Sequence, residues 1–281
     1  MSNLKIESLT SNSLSHYRTR HNFQRVGEIT DINDLQDYCN WAKENKVNIF
    51  IIGNGSNTLF VRKNVQSLIL KNKLPKYITH LNDDRVEVSS SVSIMEVLKY
   101  CYQNSRNSFY YLASVPATIG GALAMNAGRG RQHKQTIYDF VESVTFFEDG
   151  SIKTLDQSQI VRDYRQTIFT GMHSKLILSA IFKFESNEFD ENPITSRQAW
   201  AKEHQDNTAP NCGSVFKTAN YRILSKLKGI LIGRAMFSAK TDNWILNKSD
   251  SAYPIILLII IAKFLHFITM QKISLEVIEI D

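Results

Sequence analysis

Two runs of small residues give this chain the means to hold a ligand with its backbone. The first to stand out reads Ser-Val-Pro-Ala-Thr-Ile-Gly-Gly-Ala-Leu-Ala-Met-Asn-Ala-Gly from Ser114 to Gly128. It gathers Pro116, Thr118, Gly120, Gly121, Ala122, Asn126 and Gly128, in a chain with only 12 glycines among 281 residues. Where bulky side chains are missing, a ligand lies directly against main-chain amides, which donate to phosphate oxygens. Upstream, the apolar run Ile49-Phe50-Ile51-Ile52 reads as a buried strand. It leads into Gly53-Asn54-Gly55-Ser56-Asn57, a second small-residue turn at a strand end. Two such loops predict a large phosphorylated cofactor gripped by backbone. Neither loop is Gly-x-Gly-x-x-Gly and neither continues into Gly-Lys-Ser/Thr, so the dinucleotide and P-loop fingerprints are excluded.

Other chemistries have less to stand on. Cys39, Cys101 and Cys212 are widely spaced and form no Cys-x-x-Cys pair or ligand cluster with the seven histidines, so no metal site is expected. Sparse cysteines of odd number fit a reducing cytoplasm. Cys212, beside Gly213, reads as a small packing residue rather than a nucleophile. The net charge of +6 is mild and its basic residues are scattered. That favours anionic small molecules over nucleic acid. Met1–Thr10 has no apolar core, so no signal peptide is expected. Ile255–Ala262 is an unbroken apolar run, but Lys263 and His266 interrupt the stretch before it could span a bilayer. It is expected to be a buried C-terminal helix.

The elements that must position the two loops follow from periodicity. Leu35, Tyr38, Cys39 and Ala42 recur at helical spacing over 32–44, and a second helix is expected over 94–102, with Ser93 as N-cap and Glu96 at the capping-box position. Residues 65–70 and 85–91 read as strands, 141–147 and 151–155 as a hairpin, and 176–184 as an apolar strand closing the first domain. The polar stretch 186–193 marks the boundary. Beyond it are expected a helix over 194–205, strands near 233–238 and 244–246, the apolar helix, and a final strand over 273–280. Irregular alternation of helices and strands argues α+β.

Gly-Asn-Gly-Ser-Asn-Thr-Leu at 53–59, followed by Val-Pro-Ala-Thr-Ile-Gly-Gly-Ala-Leu-Ala-Met-Asn-Ala-Gly at 115–128, resembles the FAD-binding half of UDP-N-acetylenolpyruvoylglucosamine reductases. Further matches follow in order: Tyr164-Arg165-Gln166-Thr167-Ile168-Phe169, Gly213-Ser214-Val215-Phe216-Lys217, and Leu227-Lys228-Gly229 with Ile232-Gly233-Arg234-Ala235, Ser238 and Asn247. The resemblance implies an α+β fold in which a two-part FAD-binding domain of the PCMH (vanillyl-alcohol-oxidase) type, over 1–185, precedes a smaller α+β substrate-binding domain over 186–281. It implies an oxidoreductase acting on a CH–CH group, with FAD bound and NADPH as reductant. The substrate would be the enolpyruvyl ether of a UDP-sugar, in peptidoglycan precursor synthesis.

What the resemblance implies for single residues is specific. Gly53, Asn54, Gly55, Ser56 and Asn57, with the seven residues picked out between Pro116 and Gly128, would hold the cofactor. Ser214 would donate the proton, Arg165 would stabilise charge on the carboxylate, and Glu276 would be the third catalytic residue. A slide of the final segment would bring Glu279 in its place. Tyr164, Lys217 and Asn247 would contact substrate. The chain departs from the family pattern at Thr218-Ala219 and in the block 247–255, most of all over 249–255. A second reading rests on those departures: a flavin oxidoreductase working on another sugar or metabolite, or a flavin-binding protein with a degraded substrate site.

Overall fold

Helices α1 (Ile32–Asn45) and α2 (Ile94–Gln103) begin in the same way. At α1 the Asp31 carboxylate accepts from the Asn33 and Asp34 amides, while Asp34 accepts from the Asp31 amide. At α2, Ser93 and Glu96 exchange the same pair of bonds. Each box satisfies amides that a helix start otherwise leaves orphaned. These details belong to a computed structural model, which describes residues 4–82, 84–131, 133–171 and 174–281.

Main-chain proximity divides the chain into two compact units. The first contains the segment ending at Ile6, Val26–Gly53 and Leu68–Trp200. Its centre is a five-stranded antiparallel sheet in the spatial order 78–82, 85–89, 176–183, 141–148, 151–156. Val86, Val88, Val144, Ala180 and Phe182 from this sheet are buried with Val97 and Leu98 of α2 and with Ile119 and Leu123 of α3 (Ile119–Ala124). A second cluster buries Leu35 and Tyr38 of α1 against Ile49, Leu68 and Leu70. There Ile49–Ile52 runs parallel to Leu68–Lys71, as expected of a strand that is apolar along its whole length.

The second unit contains Glu7–Arg25, Asn54–Ser67 and Ala201–Asp281. It holds a three-stranded antiparallel sheet (231–232, 235–237, 245–247), the pair 216–218 with 274–275, and a parallel pair in which Thr58–Phe60 meets Ile278–Ile280. Helices α5 (Tyr221–Leu227) and α6 (Tyr253–Ile268) pack on these strands through Leu224, Leu227, Ile255, Leu258, Ile259 and Ala262.

These units differ from a division of the chain between residues 185 and 186. The boundary falls at Trp200, inside α4 (Pro193–His204), and two N-terminal segments belong with the C-terminal residues. The reason is non-local: Thr58 pairs with Ile278, a contact that no local change of composition announces. The final strand is also not continuous. Glu276 and Val277 form a bend, because both turn their amides to the Val215 carbonyl (2.8 and 3.3 Å). The alternation that would put Glu276 and Ile278 on one strand face therefore does not apply. No helix among the described residues is long and apolar enough to cross a membrane.

Candidate active site

In the first unit, the two small-residue runs touch. The strand Ile49–Ile52 delivers Gly53 against Thr118, the N-cap of α3, and a Cβ on Gly53 would fall 2.5 Å from Thr118 Oγ1. Only a residue without a side chain fits that approach. The amides of α3 are not presented to a ligand, in contrast to the expectation for Gly120, Gly121 and Ala122. The Gly120 amide donates to the Ser90 carbonyl (2.9 Å), Gly121 to Thr118 Oγ1 (3.2 Å) and Ala122 to the Thr118 carbonyl (2.9 Å). Gly120 packs closely on its neighbour, since an added Cβ would meet the Ser90 Cβ at 3.0 Å. Gly128 is tighter still, with the Gln135 carbonyl oxygen 2.1 Å from where its Cβ would sit. Pro116 and Gly53 are exposed, as is Asn54 across the unit boundary.

The far end of the run is where polar groups converge. Asn126 has a left-handed backbone (φ 45°), is 6 % exposed, and donates from Nδ2 to the Asp163 carbonyl (2.9 Å). Its Oδ1 is buried with no hydrogen-bond partner among the described residues. Arg165 donates from its two terminal nitrogens to the carbonyls of Asn126 (2.9 Å) and Gly128 (2.6 Å). Tyr164 carries the guanidinium of Arg131 over its ring at 4.2 Å and that of Arg165 at 4.9 Å. The Tyr111 hydroxyl is likewise buried without a partner. Burial raises its pKa, Asp139 adds to that, and the Arg165 charge opposes it.

Arg197 completes the basic surroundings. Its Nε donates to the Tyr111 carbonyl (3.0 Å), it stacks on Trp200 at 4.2 Å, and burial followed by the Arg129 charge lowers its pKa. Two orphaned buried oxygens amid this positive charge are costly unless something supplies hydrogen-bonding partners. A planar ligand rich in N–H and carbonyl groups, with an anionic tail, fits that requirement; FAD is such a ligand. Tyr111 and Arg197 were not singled out by the sequence, and nothing in their spacing distinguishes them.

In the second unit, Ser214 is half-buried and forms an isolated bridge with Trp244. Gly213 before it has φ 72°, with open space where a Cβ would be, so the backbone at this turn is left uncovered. Asn243 fixes the turn: its carbonyl accepts from the Val215 amide (2.9 Å), its Oδ1 from the Phe216 amide (2.9 Å), and its Nδ2 donates to the Phe216 carbonyl (2.7 Å). The Glu276 amide donates to the carbonyl of Val215, the residue after Ser214, and Asn57 Nδ2 donates to the Glu276 carbonyl (2.9 Å). Ser214, Glu276 and Asn57 thus come together from three distant stretches of chain. Glu279 lies on the pairing strand opposite Leu59 and is exposed. Lys217 is half-buried on the strand 216–218. Gly55 is buried and its carbonyl accepts from the His16 amide (3.0 Å), while Ser56 is half-buried beside it.

Asn247 differs from its expected role as a substrate contact. It is 1 % exposed, and its Nδ2 donates to the Tyr17 and Ser249 carbonyls (both 2.7 Å) while its Oδ1 accepts from the Ser249 amide (3.0 Å). All its bonding capacity that these contacts use goes to backbone, so it is a structural clamp. Asp206 plays a similar part, accepting from Ser238 (2.6 Å) and Thr208 (2.6 Å). Cys212 is buried against the Thr58 carbonyl, and burial pushes its thiol up to about 12, as suits a packing residue. Among the described residues, no cluster of three His, Cys, Asp or Glu side chains is arranged to hold a metal.

Residues 23–156 match a protein family described as FAD binding domain. A UDP-N-acetylenolpyruvoylglucosamine reductase of Bacillus pumilus is 29% identical over 229 residues, covering 77% of this chain and 74% of that protein. Proteins of the same description are 28% identical in Clostridium botulinum (81% and 78% covered) and 26% identical in Aquifex aeolicus (80% and 77%). The crystal structure of a UDP-N-acetylenolpyruvylglucosamine reductase from Thermus caldophilus superposes with a TM-score of 0.77 at 17% identity, covering 99% of both chains. The fold is thus an α+β FAD-binding fold of the PCMH type. Within that class the chain is similar to UDP-N-acetylenolpyruvoylglucosamine reductases over about four fifths of its length.

Proposed function

We propose that this chain is an FAD-dependent oxidoreductase that reduces the enolpyruvyl ether of UDP-N-acetylglucosamine to UDP-N-acetylmuramate, with NADPH as reductant. The setting would be peptidoglycan precursor synthesis in the cytoplasm. The observation that carries this reading beyond the family likeness is the backbone bond from Glu276 to the residue after Ser214, which puts a hydroxyl and a carboxyl residue side by side at an open glycine turn.

Reduction of the enolpyruvyl C=C adds one hydride and one proton. When bound, reduced flavin supplies the hydride, to the terminal carbon, and the pyridine nucleotide restores it. The chain's own residues handle the rest. Ser214 Oγ gives its proton to the carbon bearing the carboxylate. A serine hydroxyl is a weak acid, so it needs a neighbouring proton-handling group, and Glu276 is assigned that part. Arg165 is assigned to the charge that builds on the carboxylate. A guanidinium stays ionised when desolvated, and its bonds to Asn126 and Gly128 hold it in one orientation. Asn126 Oδ1, the Tyr111 hydroxyl, Gly53 and Asn54 would hold the flavin, and Tyr164 and Lys217 would contact substrate.

The test is spectroscopic. Purified protein should show the two-banded yellow absorbance of bound flavin. NADPH should bleach it, and the enolpyruvyl sugar nucleotide should bring the colour back with stoichiometric product. A colourless preparation that takes up no added FAD would sink the reading. A flavin that NADPH bleaches but this substrate leaves reduced would sink only the substrate.

A further inference from the structure

Helix α6 is apolar on two sides. One side, with Ile255, Leu258, Ile259, Ala262 and His266, is buried in the second unit. The other side is not covered: Tyr253 is 64%, Ile260 52%, Phe264 58%, Phe267 78% and Ile268 54% exposed, and Met270 beyond the helix is 93% exposed. Lys263 is the helix's one fully charged side chain. The expectation of a buried C-terminal helix therefore holds for half of its circumference. A helix apolar all round is one that is covered all round.

The uncovered side has a defined repeat. Tyr253, Leu257, Ile260, Phe264 and Phe267 follow one another at steps of four, three, four and three residues. That is the 3.5-residue seam along which one helix packs against another. Its midpoint is Ile260, with two seam positions on each side, so the stripe can face a copy of itself running antiparallel about a two-fold axis. The six exposed side chains, at about 200 Å² each when fully exposed, present on the order of 800 Å². One partner in a stable interface contributes about that area. A surface patch of this size on a monomer is also well beyond the usual few hundred Å².

We infer that α6 is the dimerisation helix of this protein, packing antiparallel against α6 of a second copy with Ile260 at the two-fold axis. A lipid surface is a poorer occupant. Membrane-lying helices carry a lysine- and arginine-rich polar face, whereas here the face opposite the stripe is packed into the protein.

Sedimentation equilibrium of the full chain, with added FAD, tests this. The expected mass at micromolar concentration is twice that of the chain, and Ile260→Glu should halve it with an unchanged circular dichroism spectrum. Cysteine cross-linking supplies a second readout that does not require the charged variant to fold. In a Cys39→Ser background, Ile260→Cys should oxidise to a covalent dimer, while Tyr253→Cys, which would face position 267 of the partner, should not. Three results would overturn the proposal: a wild-type monomer at every concentration, a dimer that survives Ile260→Glu, or a monomer that floats with phosphatidylglycerol vesicles, which would give the face to lipid.

Discussion

Ser214 and Asn247 lie in the same unit, and their substitutions should behave oppositely. Replacing Ser214 by Ala removes one hydroxyl from a half-buried turn whose main chain is held by Asn243. Folding and flavin content should be unchanged, while kcat falls by about 10²- to 10⁴-fold, the usual contribution of a positioned proton donor. A rapid-quench measurement of product formed per flavin reports this directly, and retained turnover removes Ser214 from the chemistry. Asn247→Ala instead leaves the buried Tyr17 carbonyl and the half-buried Ser249 carbonyl without their donor. It should cost about 2–3 kcal/mol of stability by urea titration, with KM and kcat of the folded enzyme within a factor of two or so. A large rise in KM without loss of stability would return Asn247 to the substrate contacts.

At the scale of the element, α2 carries a pH-dependent term. The Ser93 hydroxyl, bonded to the Glu96 carboxylate at 2.6 Å, holds its pKa down at about 2 from an ordinary 4.5; burial opposes this, and the Ser93 amide and Lys76 add to the lowering. A carboxyl lowered on folding stabilises the protein above its unfolded pKa and loses that contribution as pH falls through the folded one. Glu96→Gln should therefore cost about 1 kcal/mol at neutral pH, a modest value because the side chain is 46% exposed and screened. The gap between wild type and variant should close between pH 4.5 and about 2. A gap that persists at the acid end would mean that the carboxylate's charge plays no part. Helix α3 and the turn after it teach a different lesson: Gly120 and Gly128 let one backbone pass close to another, at Ser90 and Gln135 respectively. Unsatisfied buried polarity is found instead at Asn126, near the end of the run.

For the whole molecule, ligand binding and stability are linked. If Asn126 Oδ1 and the Tyr111 hydroxyl find their partners on FAD, the cofactor binds only the folded chain and stabilises it by mass action. At free FAD a hundredfold above its Kd this amounts to about 2.7 kcal/mol, or roughly 5 °C in Tm for a chain of this size. Differential scanning fluorimetry of apo-protein with and without FAD measures it, and Asn126→Ala should shrink the shift. Whatever depends on neighbours in sequence was legible beforehand. The cap at Ser93 serves an amide three residues on, the hairpin at 141–156 closes across a two-residue turn, and the small-residue runs announce themselves by composition. Long-range pairing was not legible. That Thr58 joins Ile278, that Glu276 leans on Val215, and that Asn247 spends its amide on Tyr17 are contacts between segments up to 230 residues apart. Such contacts leave no periodicity behind, because the free energy that selects them comes from burying both partners at once. By itself the sequence determined which stretches are built of small residues and which family they resemble. The tertiary structure alone decided which polar atoms remain unsatisfied, and an unsatisfied buried atom is a property of everything packed around it.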